Sequence, residues 1–230
     1  MDALAPIVTL HACSGAIALA SFWCAAVLRK GSPRHRLAGR LHLLGMLGVI
    51  LTGIPMAAHY LVVGRGAWAA FFTQLLVLVS TSSWLGWRAI RDRDDARRYL
   101  GPAYRVLEVL NPLVALAVLA IGITRGLPLL IGFPVVGLLV GFDLWNRRRQ
   151  IPHERRWWLR EHYGAMIGNG AATHIAFLAI GLPRVAPQLV GGPVYYAAWF
   201  APLGVALAVR IWLDRRHAIP AVPARVPATP

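Results

Sequence analysis

The sequence predicts an all-α, polytopic membrane protein with seven transmembrane helices, an external N-terminus and a cytoplasmic C-terminus. Three observations support this prediction: seven long apolar segments, an apolar composition, and basic residues concentrated in alternate loops. Of the 230 residues, 57% are hydrophobic and 14% are charged, and the mean hydropathy is +0.57. Soluble globular domains contain about 45–50% apolar and about 25% charged residues, so the composition argues against a soluble protein.

Each apolar segment is about 18–25 residues long, which is enough to cross a hydrocarbon core of about 30 Å as a helix. Lipid offers no hydrogen-bond partners to the backbone, so such segments must be helical. The first segment lacks the basic n-region of a cleavable signal peptide and is expected to be retained. In chain order the segments are Leu4–Leu28, Leu41–Val63, Ala67–Ile90, Leu107–Thr124, Leu127–Trp145, His162–Gly181 and Pro193–Leu213.

The net charge of +15 comes from 24 Lys and Arg against 9 Asp and Glu. Such a balance can indicate nucleic-acid binding, but the basic residues lie in the first, third and fifth loops and after the last segment, as the positive-inside rule describes. The remaining loops contain only Arg65, Arg125 and Arg184. We therefore expect the basic loops to face the cytoplasm and anionic lipid headgroups, with no nucleic-acid partner.

A single domain is predicted, because nothing in the sequence marks a second one. Residues 1–217 form the seven-helix transmembrane domain, and the Pro- and Ala-rich residues 218–230 are predicted to be a disordered cytoplasmic tail. The short turn Arg125-Gly126 predicts that the fourth and fifth segments pack as an antiparallel pair.

Histidines and carboxylates within or beside the apolar segments are the candidate functional residues, because ionisable groups in a bilayer are costly and mark functional sites. With the predicted orientation they form two layers. The outer layer contains His11, His59 and His174, and the inner layer contains His35 in the first loop, His42, Glu108, Asp143 and His162.

Two histidine layers suggest b-type haem and electron transfer across the membrane, since neutral imidazole is a common axial ligand of haem iron. The predicted haem ligands are His11, His42, His162 and His174, and a quinone or another small molecule is the expected redox partner. His42 and His59 are 17 residues apart, and His162 and His174 are 12 apart. These spacings turn each pair by roughly 100–120° around its helix, which disfavours two haems held by the second and sixth segments alone.

A metal site is the second hypothesis. His35, Asp143 and His162 offer nitrogen and oxygen ligands suited to zinc or iron, and a metal there would activate water in a membrane-embedded hydrolase or lipid-modifying enzyme. The sequence has no local H-E-x-x-H motif, so this site requires the three side chains to converge through tertiary contacts. A proton-coupled transporter or ligand-binding bundle is the third hypothesis.

Two stretches carry a family resemblance. The first contains His11 with Gly15, Lys30-Gly31, His35-Arg36 with Gly39, and Met46; the second contains Asp143, Trp158, His162 with Met166, Gly168, and Ala176-Phe177. Together they resemble an uncharacterised family of bacterial predicted multi-pass membrane proteins, a domain of unknown function. The resemblance implies a protein of the bacterial cytoplasmic membrane and supplies no activity. His42, His59 and His174 are not part of the pattern, which favours His11, His35, His162 and Asp143 as site residues.

Overall fold

The computed structural model describes residues 4–189 and 192–217, and every regular element within them is a helix. Seven helices are long and apolar enough to cross a membrane, which confirms the seven predicted segments. They are α1 Ala5–Val27, α2 Pro33–Val62, α3 Gly66–Arg91, α4 Pro102–Arg125, α5 Pro128–His153, α6 Trp157–Arg184 and α7 Gly192–Arg216. The predicted tail 218–230 lies outside the described residues.

The helix α2 begins eight residues before its apolar segment. Ser32 caps it, because the Ser32 hydroxyl accepts the His35 amide at 3.2 Å, and Pro33 occupies the first turn, where its missing N–H costs nothing. His35 therefore lies in the first turn of α2, and its prediction as a loop residue was wrong. Hydropathy marks only the part of a helix that lipid surrounds, whereas capping residues determine where the helix begins.

Two of the seven long helices are irregular. Pro134 interrupts α5, which consists of Pro128–Gly132, Pro134–Gln150 and a final 3₁₀ turn, Ile151–His153. In α6, the α-helical part Trp157–Ile175 is followed by a π-helical segment, Ala176–Gly181. Such π segments are rare and are frequent at functional sites, and this one begins two residues after His174.

The bundle is organised around α3, which packs against α2, α4, α5 and α6. The neighbouring helices α1 and α2, α4 and α5, and α6 and α7 also pack on each other. Gly126, with φ +61°, ends α4 in the left-handed conformation that glycine adopts readily, so the predicted short turn between α4 and α5 is confirmed.

The helices end in loops of very different charge, and these define two ends of the bundle. The end where α1, α3, α5 and α7 terminate carries most of the arginines and is called the basic end below; the other is called the opposite end. Tyr99, Tyr104 and Trp157 pack together at the basic end, and Phe71, Phe133 and Trp199 pack together at the opposite end. Trp199 is the only buried residue of α7, so this helix lies on the periphery.

Candidate functional site

His35 and His42 connect α2 to α1. Their Nδ1 atoms lie 3.0 Å from the Ala25 carbonyl oxygen and 2.9 Å from the Ala18 carbonyl oxygen, respectively. A carbonyl can only accept, so Nδ1 carries the proton in both rings and Nε2 keeps its lone pair. This is the tautomer of a histidine that binds a metal through Nε2 while its other nitrogen is held by a carbonyl.

His162 has the same arrangement on another pair of helices. Its Nδ1 lies 3.0 Å from the Gly86 carbonyl oxygen and connects α6 to α3. Lys30 lies beside His35, because its ammonium group donates to the same Ala25 carbonyl at 2.8 Å and to the Ala26 carbonyl at 2.6 Å. At the basic end, His35 of α2 and His162 of α6 thus each keep an Nε2 lone pair.

His11 and His174 differ in whether Nε2 is free to bind a ligand. The Thr52 hydroxyl donates to the Gly48 carbonyl, so its oxygen accepts the Nδ1 proton of His11 at 2.8 Å, which leaves Nε2 of His11 with its lone pair. His174 instead uses both nitrogens, since Nδ1 donates to the Gly170 carbonyl at 2.6 Å and Nε2 accepts the Trp23 indole proton at 3.1 Å.

These contacts change the predicted layers. His174 meets Trp23, which is 12 residues after His11 on α1 and therefore about 18 Å further along the helix axis. The prediction that His174 lies at the level of His11 was therefore wrong. His174 lies close to His42 instead. The ring of Phe22 lies between these two histidines. Its centroid is 5.8 Å from the centroid of the His42 ring and 5.9 Å from that of the His174 ring.

Phe22 occupies this position because α6 presents Gly170 to it. A Cβ atom on Gly170 would lie 2.4 Å from the Phe22 ring, which is far inside van der Waals contact. The space between His42 and His174 is thus filled by a side chain, and a porphyrin does not fit between them. The Nε2 atom of His42 is buried and has no hydrogen-bond partner among the described residues.

Asp143 does not join His35 and His162. Its carboxylate accepts a hydrogen bond from Arg210 of α7 at 3.0 Å, and 44% of its side chain is exposed. Among the residues that the structure describes, no group of three or more His, Cys, Asp or Glu side chains could hold a metal ion. The carboxylate that a metal was expected to neutralise is neutralised by an arginine instead.

The strongest charge network lies elsewhere and was not identified from the sequence. Arg147 is buried at the basic end, where it donates to Glu161 at 2.7 Å and to the two carboxylate oxygens of Glu154 at 2.5 and 2.8 Å. The Tyr99 hydroxyl donates to Glu161 at 3.1 Å. Hydrogen bonds from Arg147 hold the pKa of Glu154 below its ordinary value, while burial, followed by the charge of Glu161, raises the pKa of Tyr99.

Polar side chains also line the interior between α3 and its neighbours. Asn111 of α4 donates to Thr81 at 2.9 Å, and Asn169 of α6 accepts from Ser82 at 2.5 Å. Gln74 is 1% exposed, and neither atom of its amide has a hydrogen-bond partner among the described residues. The sequence contains no signal for these contacts beyond the polarity of the residues, because the pairings connect different helices.

Comparison with known protein families, with curated proteins and with solved structures found no match for this chain. The site is therefore interpreted from its geometry alone.

Proposed function

We propose that this protein is an integral membrane redox protein that binds b-type haem at its basic end, with His35 and His162 as the axial ligands. The observation that supports the proposal is the anchoring of both rings, because each donates its Nδ1 proton to a backbone carbonyl and leaves Nε2 as a ligand atom. A haem iron held in this way would exchange one electron between its ferric and ferrous forms.

The surroundings of the two histidines also suit haem. Arg34 and Arg36 flank His35 in the first turn of α2, and Lys30 lies beside His35, where its ammonium group donates to the Ala25 and Ala26 carbonyls. The two arginines would bind the haem propionates by charge-assisted hydrogen bonds. His42 and His174 are not included as ligands, because Phe22 fills the space between them and Trp23 occupies Nε2 of His174.

The proposal includes an orientation. The basic end would face the cytoplasm under the positive-inside rule, which places the N-terminus outside, and the family resemblance supports the bacterial cytoplasmic membrane. A quinone is the proposed electron partner within the bilayer. A metal hydrolase is not proposed, since Asp143 pairs with Arg210.

An absorption spectrum of the purified protein, recorded with and without dithionite, tests the haem. We expect a Soret band that shifts on reduction, and we expect both His35→Ala and His162→Ala to abolish it. The matched control is His153→Ala, because His153 is an exposed histidine at the same end of the bundle. A colourless, iron-free preparation from haem-replete cells would eliminate the proposal.

A second candidate function, a bundle that carries protons or a small polar ligand, is supported by the interior of α3 and α4. Glu108 and Asn111 lie three residues apart on the buried face of α4. The side-chain oxygen of Asn111 is buried and has no hydrogen-bond partner among the described residues, and a buried Glu108 oxygen has only an ion pair with Arg148 at 3.5 Å. Gln74 continues this polar column on α3. An unpaired amide in a membrane interior costs a few kcal/mol, so water or a ligand would be needed to satisfy it.

The variant Gln74→Leu tests whether water or a ligand is bound to the buried amide. If water or a ligand binds the amide, the variant loses about 1–3 kcal/mol of unfolding free energy. Thr73→Val is the control, since Thr73 is exposed and hydrogen-bonds only to the Ala69 carbonyl of its own helix. A Gln74→Leu protein that is more stable than the wild type would argue against the second candidate.

A further inference from the structure

A cleft of about 450 Å³ opens at the opposite end of the bundle. Two separate parts of the chain line it: residues 64–68, which lead into α3, and the last turns of α4, with Ile121, Thr124 and Arg125. Its volume is within the range of about 300–1,000 Å³ that is typical of small-molecule sites. None of the histidines proposed as haem ligands lines this cleft, so it is independent of the proposed function.

Two arginines from separate parts of the chain line this cleft: Arg65, which precedes α3, and Arg125, the last residue of α4. Arg65 follows Gly64, whose φ is +75°, and Arg125 precedes Gly126, whose φ is +61°. Each arginine thus lies beside a tight turn. None of the ion pairs among the described residues includes Arg65 or Arg125.

Arginines are scarce at the opposite end of the bundle, and they are not spread evenly over it. The loops at this end contain only three arginines, Arg65, Arg125 and Arg184, and two of them line one cleft. Two like charges in one cleft repel each other, and both side chains are exposed, so an anion from solvent can reach them. A bound anion would remove this cost and would give both guanidinium groups a partner.

We propose that the cleft binds a phosphate ester between Arg65 and Arg125. The planar guanidinium group matches phosphate oxygens with two parallel hydrogen bonds. Trp68 and Ile121 give the same cleft an apolar wall, which suits the glycerol and first acyl carbons of a lipid. A membrane lipid headgroup and a soluble phosphate compound share this chemistry, and the experiment below separates them.

Binding is measured on the detergent-purified full chain with three probes: dioctanoyl phosphatidic acid, dioctanoylglycerol and inorganic phosphate. We expect phosphatidic acid to bind and to raise the thermal midpoint, whereas dioctanoylglycerol, which lacks phosphate, leaves it unchanged. Arg65→Gln and Arg125→Gln should each weaken binding of phosphatidic acid by about tenfold or more, because each removes a charge-assisted hydrogen bond. Arg184→Gln is the matched control, since Arg184 does not line the cleft.

The binding results show whether the ligand is a lipid or a soluble phosphate compound, and they test whether the two arginines form the site. Binding of inorganic phosphate as tight as that of phosphatidic acid would identify a soluble ligand, and binding of the lipid alone would identify a headgroup site. Equal affinity of the wild type and the Arg65→Gln/Arg125→Gln protein for phosphatidic acid would overturn the proposal, as would equal binding of dioctanoylglycerol. If the Gln variants do not fold, Arg65→Lys/Arg125→Lys keeps both charges and should still weaken binding by loss of the bidentate geometry.

Discussion

The guanidinium of Arg147 donates to the carboxylate of Glu161 at 2.7 Å, and both side chains are buried between α5 and α6. Glu154, in the turn that connects these helices, binds the remaining nitrogens of Arg147. Tyr99 adds a hydrogen bond to Glu161 from the single helical turn Ala96–Tyr99 that precedes α4. Arg147 therefore links α5 to α6 and to the turn between them, and Glu161 extends this network to the helical turn that precedes α4.

Arg147→Met should destabilise the protein by about 3–5 kcal/mol, because it leaves Glu161 buried without its partner. Denaturant unfolding in detergent measures this loss. Arg155→Met is the control, since Arg155 is exposed and belongs to none of the ion pairs among the described residues. The double variant Arg147→Met/Glu161→Leu should recover a large part of the loss. Equal destabilisation by the Arg155 and Arg147 variants would show that the burial argument is wrong.

The lowered pKa of Glu154 predicts a loss of stability in acid. The hydrogen bonds from Arg147 favour the charged carboxylate, so the contribution of Glu154 is fully present above the ordinary carboxylate pKa and is lost as pH falls through the lower, folded-state pKa. In thermal midpoints measured from pH 7 to pH 3, Glu154→Gln should flatten part of the acid decline. Asp94→Asn, whose side chain is 89% exposed, should leave the profile unchanged.

The raised pKa of Tyr99 predicts a loss of stability in alkali rather than in acid. Burial disfavours the phenolate, so the folded protein keeps the proton above the ordinary tyrosine pKa of 10.0. The unfolded chain releases it there, and the contribution of Tyr99 to stability is therefore present below that pH and decreases as pH rises. Tyr99→Phe should make unfolding less sensitive to alkaline pH. An alkaline profile identical to that of the wild type would contradict this expectation, and Tyr196→Phe, at an exposed tyrosine, is the control.

Gly170→Ala should cost about 1–3 kcal/mol, because the new methyl group would overlap the Phe22 ring and force the α1–α6 contact apart. Gly168→Ala, two residues earlier on the same helix, is the control, since its new Cβ would lie 3.6 Å from Ser82, in ordinary contact. Thermal unfolding distinguishes the two variants. If Gly168→Ala is the more damaging of the two, Phe22 does not depend on the glycine for its position.

The seven helices could be predicted because each depends on local composition, namely a run of apolar residues long enough to cross a membrane as a helix. The start of α2 could not, since it depends on the capping contact from Ser32 to His35. The partners of the histidines are equally non-local: the Ala18, Ala25 and Gly86 carbonyls come from other helices, and nothing in the sequence marks one backbone carbonyl over another. The sequence does not predict the burial of Arg147 either, because this burial arises only when Glu154 and Glu161 pack around the guanidinium group.

The two histidine bonds between α1 and α2 also fix how far the helices can slide along each other. The donors His35 and His42 and the acceptors Ala25 and Ala18 are each seven residues apart on their helices. Because these two spacings are equal, both bonds form in the same axial alignment of α1 and α2. A sliding movement along the axis would break them together, so the pair opposes such movement more strongly than one bond would.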